Sequence, residues 1–358
     1  MKKIIIIGSL PPPIHGAAKN LKLFFDNVSS NHPTTIINIS PGQLTRGLFY
    51  HLRKLSRVIF GIVKLFFLAA RKDVSSIYMC PDGGFGSYYS LIFVIIANLF
   101  NLPLYLHHRS FLYLNKQTVG MRLIKKYEPR DTCHIFLCEK MKDLFNIYYD
   151  STTDMMIVSN AQYVRPVEKV SLTNDVIVLG HLSNLGFEKG LRHIFNVCDS
   201  LQKLSIPFKL QLGGPTESKE VQMYLDEMLI KFGDCVNYHG QVSSEHKSNF
   251  YTSIDIFLFP TEYRNEAQPN VVFEANAHGV PVFSINTGCI SADIGPENGF
   301  VFENPKDFID QAPHILKALA NDKCRLFALK NSTLSKIKFE SNKSKKSYEA
   351  LLERVTNH

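Results

Sequence analysis

The sequence predicts an α/β protein made of two doubly wound parallel sheets in succession, and three observations carry that expectation. Short apolar runs of strand length alternate with helical patterns through most of the chain. The alternation lapses once, after Val158, in SNAQYVRPVEKVSLTN, and then restarts. The length, 358 residues, allows two domains that each bury a core. The expected division is 1–165 for the first domain, 166–338 for the second and 339–358 for a closing, lysine-rich helix.

The first series of strand-like runs is Lys3–Gly8, Thr35–Ile39, Ser76–Cys80, Pro103–His107, Cys133–Cys138 and Met155–Val158. Near-continuous apolar runs of this kind suit strands covered by helices on both faces. The second series is Val176–Gly180, Phe208–Gly213, Val236–Gly240, Ile254–Phe259 and Val280–Ile285. Open sheets built this way bind ligands beyond the carboxyl ends of their strands, so the loops that follow these runs are where function is sought.

Composition narrows the classes. Hydrophobic residues at 45% and charged residues at 20% describe an ordinary soluble globular chain. A net charge of +8 favours anionic partners such as nucleotides or phospholipid surfaces, while no nucleic-acid-binding motif or arginine cluster appears, so nucleic acid is not an expected partner. The seven cysteines are scattered, with no CxxC pair and no metal-ligand spacing, which suits a reducing cytoplasm. The N-terminal MKKIIIIGSLPPP has too short an apolar run for a signal peptide and reads as a first buried strand. The most apolar stretch, Tyr88 to Leu106, is interrupted by Asn98, Asn101 and Pro103 and reads as helix, turn and strand, not a membrane span.

The stretch with most chemistry is EAQPNVVFE, Glu266 to Glu274, where a β-run gives way to an expected helix from Asn270 to Gly279. Pro269 loses nothing at a helix start, and the free N–H groups around Gln268, Pro269, Asn270 and Val271 would form an anion site at the positive end of the helix dipole. Glu266 and Glu274 can accept hydrogen bonds from hydroxyls on either side of a diphosphate held there. Earlier, in GHLSNLGFEKG, Lys189 stands at a helix start, where the dipole disfavours a cation unless an anionic ligand is shared; Asn184 lies five residues before it. The paired glycines of LQLGGP, with Gly214, let backbone approach a ligand closely.

In the first half, Gly16-Ala17-Ala18 opens a helix with small residues that leave room for phosphate or sugar, and it matches neither a dinucleotide fingerprint nor a P-loop. His15 before it either reaches substrate or is merely exposed. LYLHHRSF ends a strand at the carboxyl edge, and alternation points only one of His107 and His108 toward a ligand; His108 is the choice. From 48 to 72, Lys54, Arg57, Lys64 and Arg71 form one helical stripe among apolar residues. That helix either lies on an anionic membrane surface or packs on the sheet with a solvated basic edge.

The E-x7-E segment, the KG at 189–190 and the following HGVPV resemble the retaining glycosyltransferases of the GT-B fold, family 4 in particular. The resemblance runs over nearly the whole chain and is strongest from Val176 to Phe302. It implies two Rossmann-like domains facing a cleft, with the C-terminal helix crossing back to the first. It implies transfer of a sugar with retention from a nucleotide-diphosphate sugar, UDP ahead of GDP, to a hydroxyl of a glycan or lipid-linked glycan, in surface polysaccharide synthesis. Glu266 would meet the donor sugar, Glu274 the ribose, Lys189 the diphosphate and His108 the sugar near its reacting carbon. Gly240 to Val242, in YHGQVS, would bracket the base, and ENGFVF would close the sheet. Neither metal nor other cofactor is expected, and the setting is cytoplasmic or peripheral on the inner face of the cell membrane. The family's usual basic residue is Asn184 here, one charge fewer on the leaving group. An isomerase or phosphorylase on the same fold, or a non-catalytic scaffold at the membrane, are the other readings.

Overall fold

The computed structural model describes residues 2–12, 16–42, 48–150, 153–170 and 176–357. The chain divides into two compact units, residues 1–159 with 344–358, and residues 160–343. His15 and the last part of the expected linker, 171–175, lie outside the described residues.

The first unit alternates β1 (Lys3–Gly8), α1 (Gly16–Ser29), β2 (Thr34–Asn38), α2 (Leu48–Ala70), β3 (Val74–Met79), α3 (Gly86–Leu99), β4 (Leu104–His107), α4 (Val119–Tyr127), β5 (Thr132–Phe136), α5 (Glu139–Tyr149) and β6 (Asp154–Ile157). Its sheet is parallel, in the order β2-β1-β3-β4-β5-β6. Ile4 to Ile7 of β1 are all buried, as a central parallel strand covered on both faces requires.

The second unit runs β7 (Ile177–Leu182), α6 (Leu191–Lys203), β8 (Phe208–Gly213), α7 (Lys219–Phe232), β9 (Val236–Tyr238), α8 (Lys247–Thr252), β10 (Ile256–Phe259), α9 (Asn270–Ala277), β11 (Val282–Ile285), α10 (Ile290–Asp293), β12 (Gly299–Phe302), α11 (Pro305–Asn321) and α12 (Lys323–Thr356), the end of α12 belonging to the first unit. The order is β12-β11-β10-β7-β8-β9, again parallel. Within β10, Ile256 and Leu258 join one core cluster while Phe257 and Phe259 join another, the two-residue period of a strand buried on both sides. The chain leaves β7 for β8 on one side and returns on the other for β10. Strand order therefore reverses between β7 and β10, and sheets of this kind bind ligands beyond the carboxyl ends at such a reversal.

The closing helix begins at Lys323, not at Phe339. Residues 323–356 contain neither glycine nor proline, and Leu326, Leu334 and Ile337 are buried, so nothing ends the helix early. Its last turns pack in the first unit: Leu351 and Val355 join the cluster of Ile4 and Phe24, Asn27 donates to the Tyr348 hydroxyl at 3.0 Å, and Ser76 donates to the Val355 carbonyl at 2.7 Å. Midway, Lys330 is buried against Asp255 at 3.2 Å.

Candidate active site

Two loops meet at the carboxyl ends of β7 and β10. The first leaves β7 and turns at Gly186–Gly190 before α6; Gly190 has φ 85°, and a Cβ there would fall 2.2 Å from the Pro260 carbonyl oxygen. Glycine thus lets this loop lie directly on the end of β10. The loop is fastened by Glu262 N–H donating to the Glu188 carbonyl at 2.8 Å and by Thr261 Oγ1 donating to the same oxygen at 3.3 Å. The second loop, 260–269, is held from below: Thr287 Oγ1 donates to the Thr261 carbonyl at 3.0 Å, and Gly288, at φ 58°, passes so close that a Cβ would lie 2.1 Å from the Glu266 carbonyl oxygen.

This packing brings Lys189 and Glu266, 77 residues apart, into an ion pair of 2.5 Å. The lysine side chain is 24% exposed and the glutamate 15%. The ammonium also stands 4.7 Å from the centroid of the Tyr263 ring, a second attraction that holds it over the loop. A pair this accessible contributes about 1 kcal/mol or less to stability. Its oxygens and hydrogens remain within reach of a ligand.

Beside it, α9 starts at Asn270 with Pro269 as N-cap and ends at Ala277, shorter than expected because Gly279 takes φ 66°. Val271 is half-buried on the core below. Glu274 accepts from Lys247 Nζ at 2.6 Å and from the Tyr251 hydroxyl at 3.0 Å, two groups presented by one face of α8. Burial and the Glu274 charge push the Tyr251 phenol well above its usual range, so it donates this bond as a neutral group. On the other flank, Gly214 N–H donates to the Gly240 carbonyl at 2.6 Å, and Gly214 has φ 113° with the Ser183 carbonyl where a Cβ would be. Gly240, at φ 63°, ends β9 two residues before the expected limit, and Val242 rests against the core. Asn184 is exposed in the turn after β7.

The Gln268 side chain is turned into the fold and not toward the expected anion site. It is buried, its Oε1 accepts from Asn160 N–H at 2.7 Å and its Nε2 donates to Asp293 Oδ1 at 2.8 Å. Its amide ties α9 to the turn after β6 and has no reach toward a ligand.

The histidines of the first unit also sort differently from the expectation. His108 is fully buried, with Nδ1 at 2.9 Å from the Tyr113 hydroxyl, Nε2 at 2.9 Å from His134 Nδ1, and its ring stacked on Phe136. Both ring nitrogens are used inside its own unit. His107, the last residue of β4, meets the Tyr78 hydroxyl through Nδ1 at 2.5 Å, while its Nε2 has no partner among the described residues. Burial holds both rings well below the usual histidine pKa, so both are neutral. Gly16 and Ala17 open α1, Gly16 exposed and Ala17 half-buried.

Several neighbours were not legible in advance: Tyr263 under Lys189, Lys247 and Tyr251 behind Glu274, and His181. The last is buried at the strand reversal, its Nδ1 2.8 Å from the Leu258 carbonyl and its Nε2 2.8 Å from Ser183 Oγ; burial lowers its pKa to about 4. Since a carbonyl only accepts, Nδ1 carries the proton and Nε2 accepts from Ser183. Among the described residues no group of His, Cys, Asp and Glu is arranged to hold a metal ion.

Residues 154–318 match the family model described as glycosyl transferases group 1. No curated protein matches the chain. Sucrose-phosphate synthase from Thermosynechococcus elongatus superposes with a TM-score of 0.75 at 13% identity, covering 99% of both chains. HepE of Anabaena in complex with UDP gives 0.67 at 13% identity, over 99% of this chain and 100% of that one. The lipopolysaccharide outer core galactosyltransferase WaaB gives 0.60 at 14%, over 96% and 99%. At such identities the likeness establishes the fold, which is the GT-B architecture.

Proposed function

We propose, from the premise that residues 154–318 form a group 1 glycosyltransferase domain, that this protein moves a sugar from a nucleotide-diphosphate sugar to a hydroxyl of a glycan or lipid-linked glycan. UDP is favoured as the nucleotide because HepE of Anabaena was solved with UDP and with UDP-glucose. The WaaB likeness supports surface polysaccharide as the product class. The observation that carries the reading is the Lys189–Glu266 pair at the strand reversal.

Transfer forms a bond from the acceptor oxygen to the anomeric carbon and breaks the bond from that carbon to the diphosphate. The chain's task is to stabilise the charge that grows on the departing diphosphate. Lys189 supplies a cation there, and the amides that open α9, from Asn270 and Val271, supply the positive end of a helix dipole. Glu266, released from the lysine, accepts from sugar hydroxyls, and Glu274, fixed by Lys247 and Tyr251, accepts from the ribose. Gly214, Gly240 and Val242 line the base side with backbone, and Gly16 and Ala17 offer a second small-residue helix start. In the retaining, metal-independent course the acceptor proton passes to the leaving phosphate oxygen. For the role that the resemblance gives to a histidine of the first unit, His107 is preferred to His108, because its Nε2, though buried, has no partner among the described residues, whereas both ring nitrogens of His108 are taken.

The test is a thermal-shift panel of UDP, GDP, ADP and CMP derivatives followed by turnover assays. A diphosphate that binds the folded chain raises the melting point by mass action. We expect UDP to give the largest shift, and Glu266→Gln to lower turnover by about two to three orders of magnitude. No shift with any nucleotide would remove the reading.

A further inference from the structure

The first unit carries an apolar face that its own core does not use. Helix α2 is seated on the sheet by Val58, Gly61, Leu65 and Ala69, all buried at helical spacing. Gly61 is so close that a Cβ there would fall 2.5 Å from Ile37 and 3.3 Å from Phe93. The opposite face of an ordinary surface helix is polar. Here it is Phe49, Leu52, Ile59, Phe60, Val63 and Phe67, all exposed, Phe49 at 78% and Phe60 at 69%. Helix α3 extends the face: the rings of Phe66 and Phe100 meet edge-on at 5.5 Å, and Tyr88, Ile92, Ile95 and Leu99 are exposed at the spacing of one stripe.

Within the two helices the charges have one sign. Neither α2 nor α3 contains an acidic residue. Lys54 is taken by Asp82 at 2.6 Å, and Arg57 donates to the Ser40 carbonyl. Arg53, Arg71 and Lys72 are exposed at the rim. Arg57 and Lys64 line an open pocket of about 520 Å³ with Ser56, Asn38 and Phe60, at the edge of the same face.

We propose that α2 and α3 together dock on the surface of an anionic lipid bilayer, lying in its interfacial plane, with headgroup phosphates on Arg53, Lys64, Arg71 and Lys72. The occupant follows from charge and shape. An apolar face on two helices that carry cations and no anion complements a layer that is apolar below and anionic above. A second copy of the chain would set the same cations against each other. No described helix is long and apolar enough to cross a membrane, so the geometry is docking, not spanning. The inference stands apart from the sugar-transfer reading, since it needs only the first unit's surface.

The test is co-sedimentation of the full chain with vesicles of phosphatidylcholine alone and of equal parts phosphatidylglycerol and phosphatidylcholine. We expect binding to the anionic vesicles that weakens with salt and is unaffected by millimolar inorganic phosphate. Phe60→Ser with Phe67→Ser should cut partitioning about tenfold or more. Arg53→Gln and Arg71→Gln should each cut it about fivefold. All four positions are exposed, so an unchanged melting temperature separates lost docking from lost folding. Equal binding of these variants, no preference for the anionic vesicles, or a dimer sealed by Phe60 and Phe67 that ignores lipid would overturn the proposal.

Discussion

Two lysine–carboxylate pairs in the second unit use the same chemistry for opposite ends. Lys330 and Asp255 are each 2% exposed and 3.2 Å apart, and the pair is sealed by backbone: Lys330 also donates to the Ile254 carbonyl at 3.3 Å, and Asp255 accepts from Val178 N–H at 3.0 Å. Lys189 and Glu266 are closer, 2.5 Å, yet open to solvent beyond the strand ends. A sealed pair cannot exchange its partner without leaving a buried charge behind, so it fixes α12 against β7 and β10. An open pair can trade its partner for a ligand at little cost. On the proposed reading, position relative to the strand ends, and not bond length, separates the two roles.

That contrast predicts a double dissociation. Lys189→Ala should lower turnover by about two to three orders of magnitude while moving the melting temperature little, as steady-state kinetics and a melting curve would show. Lys330→Ala should cost about 3–5 kcal/mol in chemical denaturation and leave the turnover of the still-folded fraction unchanged. If Lys330→Ala spared stability and removed activity, the contrast would fail.

The adjacent histidines give a smaller version of the same test. His108→Phe strips partners from Tyr113 and His134 and should cost about 1–3 kcal/mol of stability with kcat/KM preserved. His107→Phe should lower kcat/KM about tenfold through one lost hydrogen bond. The reverse pattern would return the role to His108.

Asp293 extends the comparison to a buried carboxyl with no ion pair among the described residues. Its Oδ1 accepts from Gln268, its Oδ2 has no partner there, and burial raises its pKa to about 8 from 3.8. The folded chain keeps this proton while the unfolded chain releases it, so the group's contribution to stability falls as pH rises between those values. Near pH ~7.5, where His107, His108 and His181 have largely given up their protons in the unfolded chain as well, the net fall should be about 0.6 kcal/mol per pH unit. Asp293→Asn should flatten it in denaturation curves; an unchanged slope would place the titrating group elsewhere.

Much of this was legible in the sequence because it is local. Both series of strands, the turn at Lys189-Gly190 and the Glu266–Glu274 segment are patterns within a few residues of each other, and the folded chain keeps them with small shifts of boundary. What escaped depends on distant partners. Gln268 looks like part of a ligand turn until Asn160, 108 positions earlier, takes its amide oxygen. Alternation points only one of His107 and His108 toward a ligand, and it does not show that Tyr113 and His134, 26 positions on, take both ring nitrogens of His108. In α2 the basic stripe was plain, whereas the turn of the helix that leaves Phe60 and Phe67 outside is set by the fit of Gly61 against Ile37 and Phe93.

The central claim is that Lys189, in its pair with Glu266, is placed to grip a diphosphate. Calorimetric titration with UDP and with UMP, on the native chain and on Lys189→Met, tests it most directly. The account predicts that the native chain binds UDP about tenfold to a hundredfold more tightly than UMP, one charged hydrogen-bonding contact's worth, and that the variant loses most of that margin. A variant that keeps the full margin would show that the second phosphate is held somewhere else.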